Sequence, residues 1–244
     1  MIVANLATYP PRLPNLNKVV DTLSAQVDRL NIVLNEFHEV PVELRRYSNV
    51  VPIIPEEDTK DVGKFLPAVE GDDTVLLVDD DILYPKDFVE ETVRRFSSLG
   101  DDNFVASYHG STYRKPKMRS RELFSYFSYR SRLADFRKVS VFYRRQEKTL
   151  VVDQVATCAA ILTGKNLPSY SYMRDSQKFV DVRLAKWAYE KGLTCVTLPR
   201  EEDWLCPIRY EETIYKGFTQ MNPPQVNAEI AIFAGKSSRL NEAI

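Results

Sequence analysis

Three consecutive carboxylates, Asp79, Asp80 and Asp81, end the apolar run Val75 to Val78 inside TVLLVDDDILYP. Like charges this close repel one another unless a cation or several donors sit among them. In an extended chain successive side chains alternate faces, so Asp79 and Asp81 share one face and Asp80 takes the other. Two hard oxygen donors on one face suit Mg²⁺ or Mn²⁺, which accept carboxylates and keep positions open for water and substrate phosphates. The competing reading is an Asx turn, with the remaining carboxylates capping a helix that opens near Pro85. Ligands of open α/β sheets collect at the carboxyl ends of strands, and that is where the triplet falls. His38 and His109 are the only histidines, so a multi-histidine metal site is excluded and any metal relies largely on carboxylates.

The elements that must hold this triplet follow from periodicity. Val75 to Val78 reads as a strand buried on both faces, as in a parallel sheet. Ile2 to Thr8 is expected to be a first strand, followed by a loop from Tyr9 to Arg12. Pro14 then opens a helix with Leu16, Val19, Val20 and Leu23 on one face. A second strand is expected over Leu30 to Asn35, a short helix over Val40 to Arg46 and a third strand over Asn49 to Ile54. The acidic loop Glu56 to Asp58 and the connection holding Gly63 and Lys64 come next. After the triplet, Pro85 begins a helix with Phe88, Val89, Val93 and Phe96 at helical spacing, stopped by Gly100. Phe104 to Tyr108 reads as a strand ending in His109 and Gly110, and Leu150 to Leu162 as extended structure with small residues around Thr157. A helix over Phe179 to Gly192, with Asp181 in its favoured opening turn, precedes a last strand, Thr194 to Leu198. Strands alternating with helices predict an open α/β sheet. The Thr8 to Arg12 loop, Asn35, the triplet and His109 would all lie at strand ends.

A chain of 244 residues, 44% hydrophobic and 27% charged, is long enough for one large domain with a full core. Its three cysteines, Cys158, Cys195 and Cys206, suggest neither a disulfide framework nor a zinc site. Neither the N-terminus nor any apolar run reads as a leader or a bilayer span, which leads to the expectation of a cytoplasmic protein with buried thiols. Net charge is −1, yet the stretch Ser111 to Lys148 is strongly basic and interleaved with Tyr and Phe. Such a mixture either grips a polyanion and stacks on bases or sugars, or forms a helical insertion whose aromatics pack on the body.

Several of these pieces together resemble the family-two-like glycosyltransferases of the GT-A fold that carry a DDDIxYP motif. The matching pieces are ATYPPR with the helix after it, LNIVLNEF, the GKF at Gly63 to Phe65, VDDDILYPKDFVE, SYHG and VDVRLAKWAYEKGL. The resemblance implies a Rossmann-like, mixed, mostly parallel sheet flanked by helices in a single domain over residues 1–244. Residues 1–110 would form the nucleotide-sugar-binding half, 111–150 a basic aromatic insertion, 151–200 the acceptor and catalytic half and 201–244 a tail. It further implies that Asp79 and Asp81 hold Mn²⁺ or Mg²⁺, with Asp79 and Asp80 also close to the nucleotide sugar. Thr8, Pro10, Arg12, Asn35 and Lys64 fall where the family contacts base, ribose or phosphates. Asp181 falls where inverting members carry the catalytic carboxylate; the competing reading is a helix cap. The family's late metal-binding histidine has no counterpart after His109, so His109, or water and the diphosphate, would complete the shell. His109 also reads as a structural residue or an acceptor contact.

The function implied is transfer of a sugar from a nucleotide sugar, UDP-linked by preference, to a hydroxyl of a surface glycan such as lipopolysaccharide or capsule. Two alternatives stand beside it. One is phage-type sugar transfer to hydroxymethylated DNA held by the basic insertion, and the other a non-catalytic nucleotide or nucleic-acid binding module.

Overall fold

The computed structural model describes residues 1–114, 132–208 and 223–237. The chain is α/β, built on an eight-stranded mixed sheet. Strand β1 (Ile2–Thr8) leads through a short turn, Pro10–Arg12, into helix α1 (Leu13–Leu23). Strands β2 (Arg29–Leu34), β3 (Val50–Ile53) and β4 (Thr74–Val78) follow, with tight helical turns at Val42–Arg46 and Lys60–Phe65 between them. After β4 come β5 (Ile82–Leu83), α2 (Phe88–Ser97), β6 (Phe104–Ser107) and β7 (Gly110–Tyr113). The second half holds β8 (Arg137–Ser140), β9 (Leu150–Val151), β10 (Gln154–Val155) and β11 (Ala159–Thr163). It continues with α3 (Tyr170–Met173), α4 (Val180–Lys191), β12 (Thr194–Thr197), β13 (Cys206–Pro207) and α5 (Pro224–Phe233).

The large sheet runs β3-β2-β1-β4-β11-β6-β12-β9. Its first four strands are parallel, as are β6 and β12, while β11 runs antiparallel between β4 and β6. Strand order therefore reverses between β1 and β4, and the crevice at such a switch point is where open sheets bind ligands. Because β11 is antiparallel, it begins where β4 ends: Ala159 pairs with Val78. The loop ahead of it, Thr157 and Cys158, is thereby delivered to the carboxyl end of β4.

Burial on both sides of β4 explains its continuous apolar run. Leu76 and Val78 pack with Leu16, Val20 and Phe88, from α1 and α2, on one face. Val75 and Leu77 pack with Val62, Phe65 and Leu184 on the other, where the Lys60–Phe65 turn and α4 lie. A third cluster joins α4 to α5 through Val182, Ala185, Val226 and Phe233.

Two expectations need correction. Helix α2 begins at Phe88 rather than Pro85, because Ile82 and Leu83 first pair with Cys206 and Pro207. For the same reason β12 is not the last strand. Among the described residues of the basic segment, β7 and β8 form an antiparallel ladder; Lys115, Arg119, Phe124, Tyr126 and their neighbours, on which the helical reading falls, lie outside the described residues. Residues 209–222 and 238–244 of the tail lie outside them as well, while Pro224–Phe233 is helical. No helix among the described residues is long and apolar enough to cross a membrane.

Candidate functional site

Alternation along β4 carries on through Asp79 and Asp80 and then stops. Asp79 follows the Val75–Leu77 side and meets Lys64, whose Nζ donates to its Oδ1. Asp80 follows the Leu76–Val78 side, is buried, and accepts from Thr8 Oγ1 at 2.6 Å, tying the ends of β1 and β4 together across the switch point. A turn at Asp80–Asp81 brings Asp81 to Arg12, whose Nη1 reaches Asp81 Oδ2 at 3.2 Å and Asp80 Oδ1 at 3.5 Å. The expected pairing of Asp79 with Asp81 on one strand face is therefore replaced by Asp80 and Asp81 sharing one guanidinium.

The three carboxylates differ in environment. Asp81, with its side chain 38% exposed, is pushed up to about 6 by burial and by the charge of Asp79. Burial also raises Asp80, against the opposing pull of Thr8 and Arg12. Arg12 is held firmly cationic: burial lowers its pKa, and Asp80 and Asp81 more than reverse that.

Lys64 is the centre of the other side. It is 2% exposed, and Nζ donates to the Thr157 carbonyl at 3.2 Å and to Thr157 Oγ1 at 3.3 Å as well as to Asp79. Burial by itself lowers the pKa of the ammonium, but the Asp79 carboxylate overrides it and the pKa rises. A buried polar chain sets its position: Asn31 donates to Asn5, and Asn5 Nδ2 donates to the Lys64 carbonyl at 2.9 Å. Lys64 is thus a buried bridge within the site wall, where sequence reading expects a cation facing phosphates.

Asp181 closes this side. It sits in the first turn of α4, whose N-terminal backbone favours a negative charge. Its Oδ1 accepts from the Thr157 N–H at 2.8 Å and from Thr157 Oγ1 at 2.9 Å. Burial raises its pKa, with Thr157 and Lys64 opposing. Asp61, from the Lys60–Phe65 turn, accepts from the Lys178 N–H at 2.9 and 3.1 Å and is pushed up to about 6 by burial, with Asp181 adding repulsion. Asp61, Cys158 and the role of Thr157 are not legible in sequence, since they share neither a strand nor a spacing with the triplet.

The remaining expected residues take wall positions. Pro10 opens the turn that carries Arg12. Asn35 turns inward, donating to the Lys60 carbonyl at 3.1 Å and accepting from Thr59 N and Oγ1. Glu36, Lys60 and Lys178 all adopt left-handed backbone (φ 60°, 49° and 72°), so strain gathers along this wall, as it does around functional sites. His109 lies half-buried against Phe142, ring centroids 5.9 Å apart. Burial, with Arg137 and Arg200 nearby, pushes it down to about 4, so the imidazole is neutral at physiological pH. The Tyr84 hydroxyl accepts from the Asp79 N–H at 2.8 Å and donates to the Cys158 carbonyl at 2.5 Å, locking the triplet to the Thr157 loop.

Among the described residues no three His, Cys, Asp or Glu side chains converge as a ready ligand set. Mg²⁺ needs no such set, because it is commonly held by one or two carboxylates and completes its shell with water and substrate phosphates. Asp79 and Asp81 each offer a carboxylate oxygen and so fit a divalent cation by donor type, although each is engaged by a cation, Lys64 or Arg12, whose charge such a metal would have to displace or share.

A crystal structure of a mycobacterial protein shares this fold. It matches with a TM-score of 0.53 at 17% identity, over 96% of this chain and 74% of that one. No protein-family model matches the chain, and no curated protein matches it by sequence.

Proposed function

We propose that this protein is a metal-dependent, inverting glycosyltransferase of the GT-A type. It moves a sugar from a nucleotide sugar, UDP-linked by preference, to a hydroxyl of a surface glycan. The observation that carries the reading is the convergence of Asp79 and Asp181. Distant in sequence, they meet through Lys64 and Thr157 at the switch-point crevice, where a donor would lie.

In this reading the acceptor oxygen attacks the anomeric carbon while the carbon–oxygen bond to the diphosphate breaks and its electron pair leaves with the diphosphate. The acceptor proton goes to Asp181. General base catalysis of this kind contributes about 10²- to 10⁴-fold, and a carboxylate whose pKa is raised by burial sits closer to the operating pH, as such a base requires. A divalent cation held by Asp79 and Asp81 would screen the charge growing on the diphosphate. Arg12 adds fixed positive charge beside it, and the neutral His109 forms part of the wall without competing for protons.

The test is nucleotide release from UDP-, GDP- and dTDP-sugars with Mn²⁺, comparing the wild type with Asp81→Ala and Asp181→Asn. Metal-dependent release from one donor, lost in Asp81→Ala, is expected. Asp181→Asn should bind that donor and fail to transfer. The reading fails if no donor is consumed even with lipopolysaccharide, capsule fragments or hydroxymethylated DNA supplied as acceptor.

A further inference from the structure

The hydrogen bonds around Asp181 have a direction. Lys64 Nζ has only protons to give, so Thr157 Oγ1 accepts from it and passes its own proton toward Asp181 Oδ1. The Thr157 N–H donates to the same oxygen. Oδ1 thus receives two donors, and among the described residues nothing donates to Oδ2. Thr157 is itself only 3% exposed, and the start of β11 and the Tyr84 hydroxyl fix its loop.

Resting on the proposed transferase reading, we propose that Thr157, with Lys64 behind it, is the positioning residue for Asp181. It pins Oδ1, fixes the carboxylate plane and leaves Oδ2 as the atom that takes the acceptor proton. An unpinned carboxylate at the start of α4 would rotate about its side-chain bonds, and a base must lie within hydrogen-bond reach of its proton. The same two residues join Asp181 to Asp79, so both carboxylates take their placement from one buried ammonium.

The charged and titratable groups facing Asp181 are Lys64 and Asp61 from the Lys60–Phe65 turn, Asp79 from the end of β4, Cys158 from the loop before β11 and Tyr113 from β7. Removing the Thr157 hydroxyl alters none of these. It takes away one donor to the charged carboxylate, which raises the pKa of Asp181.

The experiment uses the full chain carrying Thr157→Val, Thr157→Ala or Thr157→Ser, with Asp181→Asn to assign the Asp181 carboxyl signal in a carbon-13 NMR titration. Val and Ala should each raise the Asp181 pKa, and Ser should restore it. With a turned-over donor, Val and Ala should lower kcat about 10- to 100-fold, the worth of one hydrogen bond to a charged group, and leave the donor KM unchanged. The acid limb of the rate profile should move to higher pH, and Ser should recover both. An unshifted titration, or wild-type kcat in both hydroxyl-free variants, overturns the proposal. If the wild type consumes no donor, the transferase reading falls and the titration alone decides whether Thr157 positions Asp181.

Discussion

Replacing Gly63 with alanine tests how tightly the wall behind the site is packed. An added Cβ would collide with Thr59 Oγ1 and lie 3.0 Å from Val33 Cγ1 and 3.3 Å from Ala7 Cβ. None of these yields easily. Thr59 Oγ1 donates to Asn35 at 2.7 Å, and Val33 and Ala7 belong to the paired strands β2 and β1. Overpacking of this kind costs about 1 to 3 kcal/mol, and in a chain of this size each kcal/mol lowers Tm by roughly 2 to 4 °C. A fall of roughly 2 to 12 °C is therefore expected in a calorimetric or circular-dichroism melt. Gly71→Ala is the control, because its Cβ would meet only Lys165 Cβ at 3.8 Å, an ordinary contact. Lys64 follows Gly63 directly, so the displaced turn should also loosen its hold on Asp79. Equal melting of Gly63→Ala and Gly71→Ala would refute the close approach of the Lys60–Phe65 turn to β1 and β2.

Two further outcomes follow from buried charge. The folded-state pKa of Asp61 is raised from 3.8 to about 6, so the folded chain binds the extra proton and stability falls as pH rises through that window, levelling above it. Asp61→Asn keeps an acceptor for the Lys178 N–H, and denaturant midpoints measured between pH 4 and pH 6 should fall less steeply than in the wild type; an identical slope removes Asp61 as a source of the dependence. Arg183 reaches Glu229 with three contacts of 2.6 to 2.9 Å, both side chains about one-tenth exposed. Glu229→Gln leaves the guanidinium without its anion but keeps one acceptor, so the loss should be about 2 to 3 kcal/mol in urea unfolding, below the cost of stripping a fully buried pair. An unchanged midpoint would mean that α5 is held to α4 by apolar packing alone.

Much of the framework is legible in the chain because its signals are local. Val75 to Val78 declares a doubly buried strand through continuous hydrophobicity, and Leu16, Val19, Val20 and Leu23 declare a helix face through their spacing; all are buried where periodicity puts them. Gly100 and Gly192 follow helices with positive φ, the backbone that glycine adopts without a steric penalty. Asp79 to Asp81 and Asp181 stand out because charged residues at the ends of apolar elements are conspicuous in one dimension.

What sequence could not show is which residues meet. Alternation predicts a partner face for Asp81 only while the strand lasts, and the turn after Asp80 hands it to Arg12 instead. The resemblance puts Lys64 beside the nucleotide or its phosphates, yet the antiparallel return of β11 places Thr157 over it and makes it a buried bridge. Asp61 and Lys178 are joined by hydrogen bonds between a turn and a loop far apart in the chain, and nothing in either segment announces the other. The strands of the parallel half of the sheet, the helices α1 and α4 and the acidic triplet were set by local sequence, since those depend on near neighbours. Which carboxylate pairs with which cation was decided only by the order and direction of strands in the sheet, because that order alone brings the ends of β1, β4 and β11 to one place.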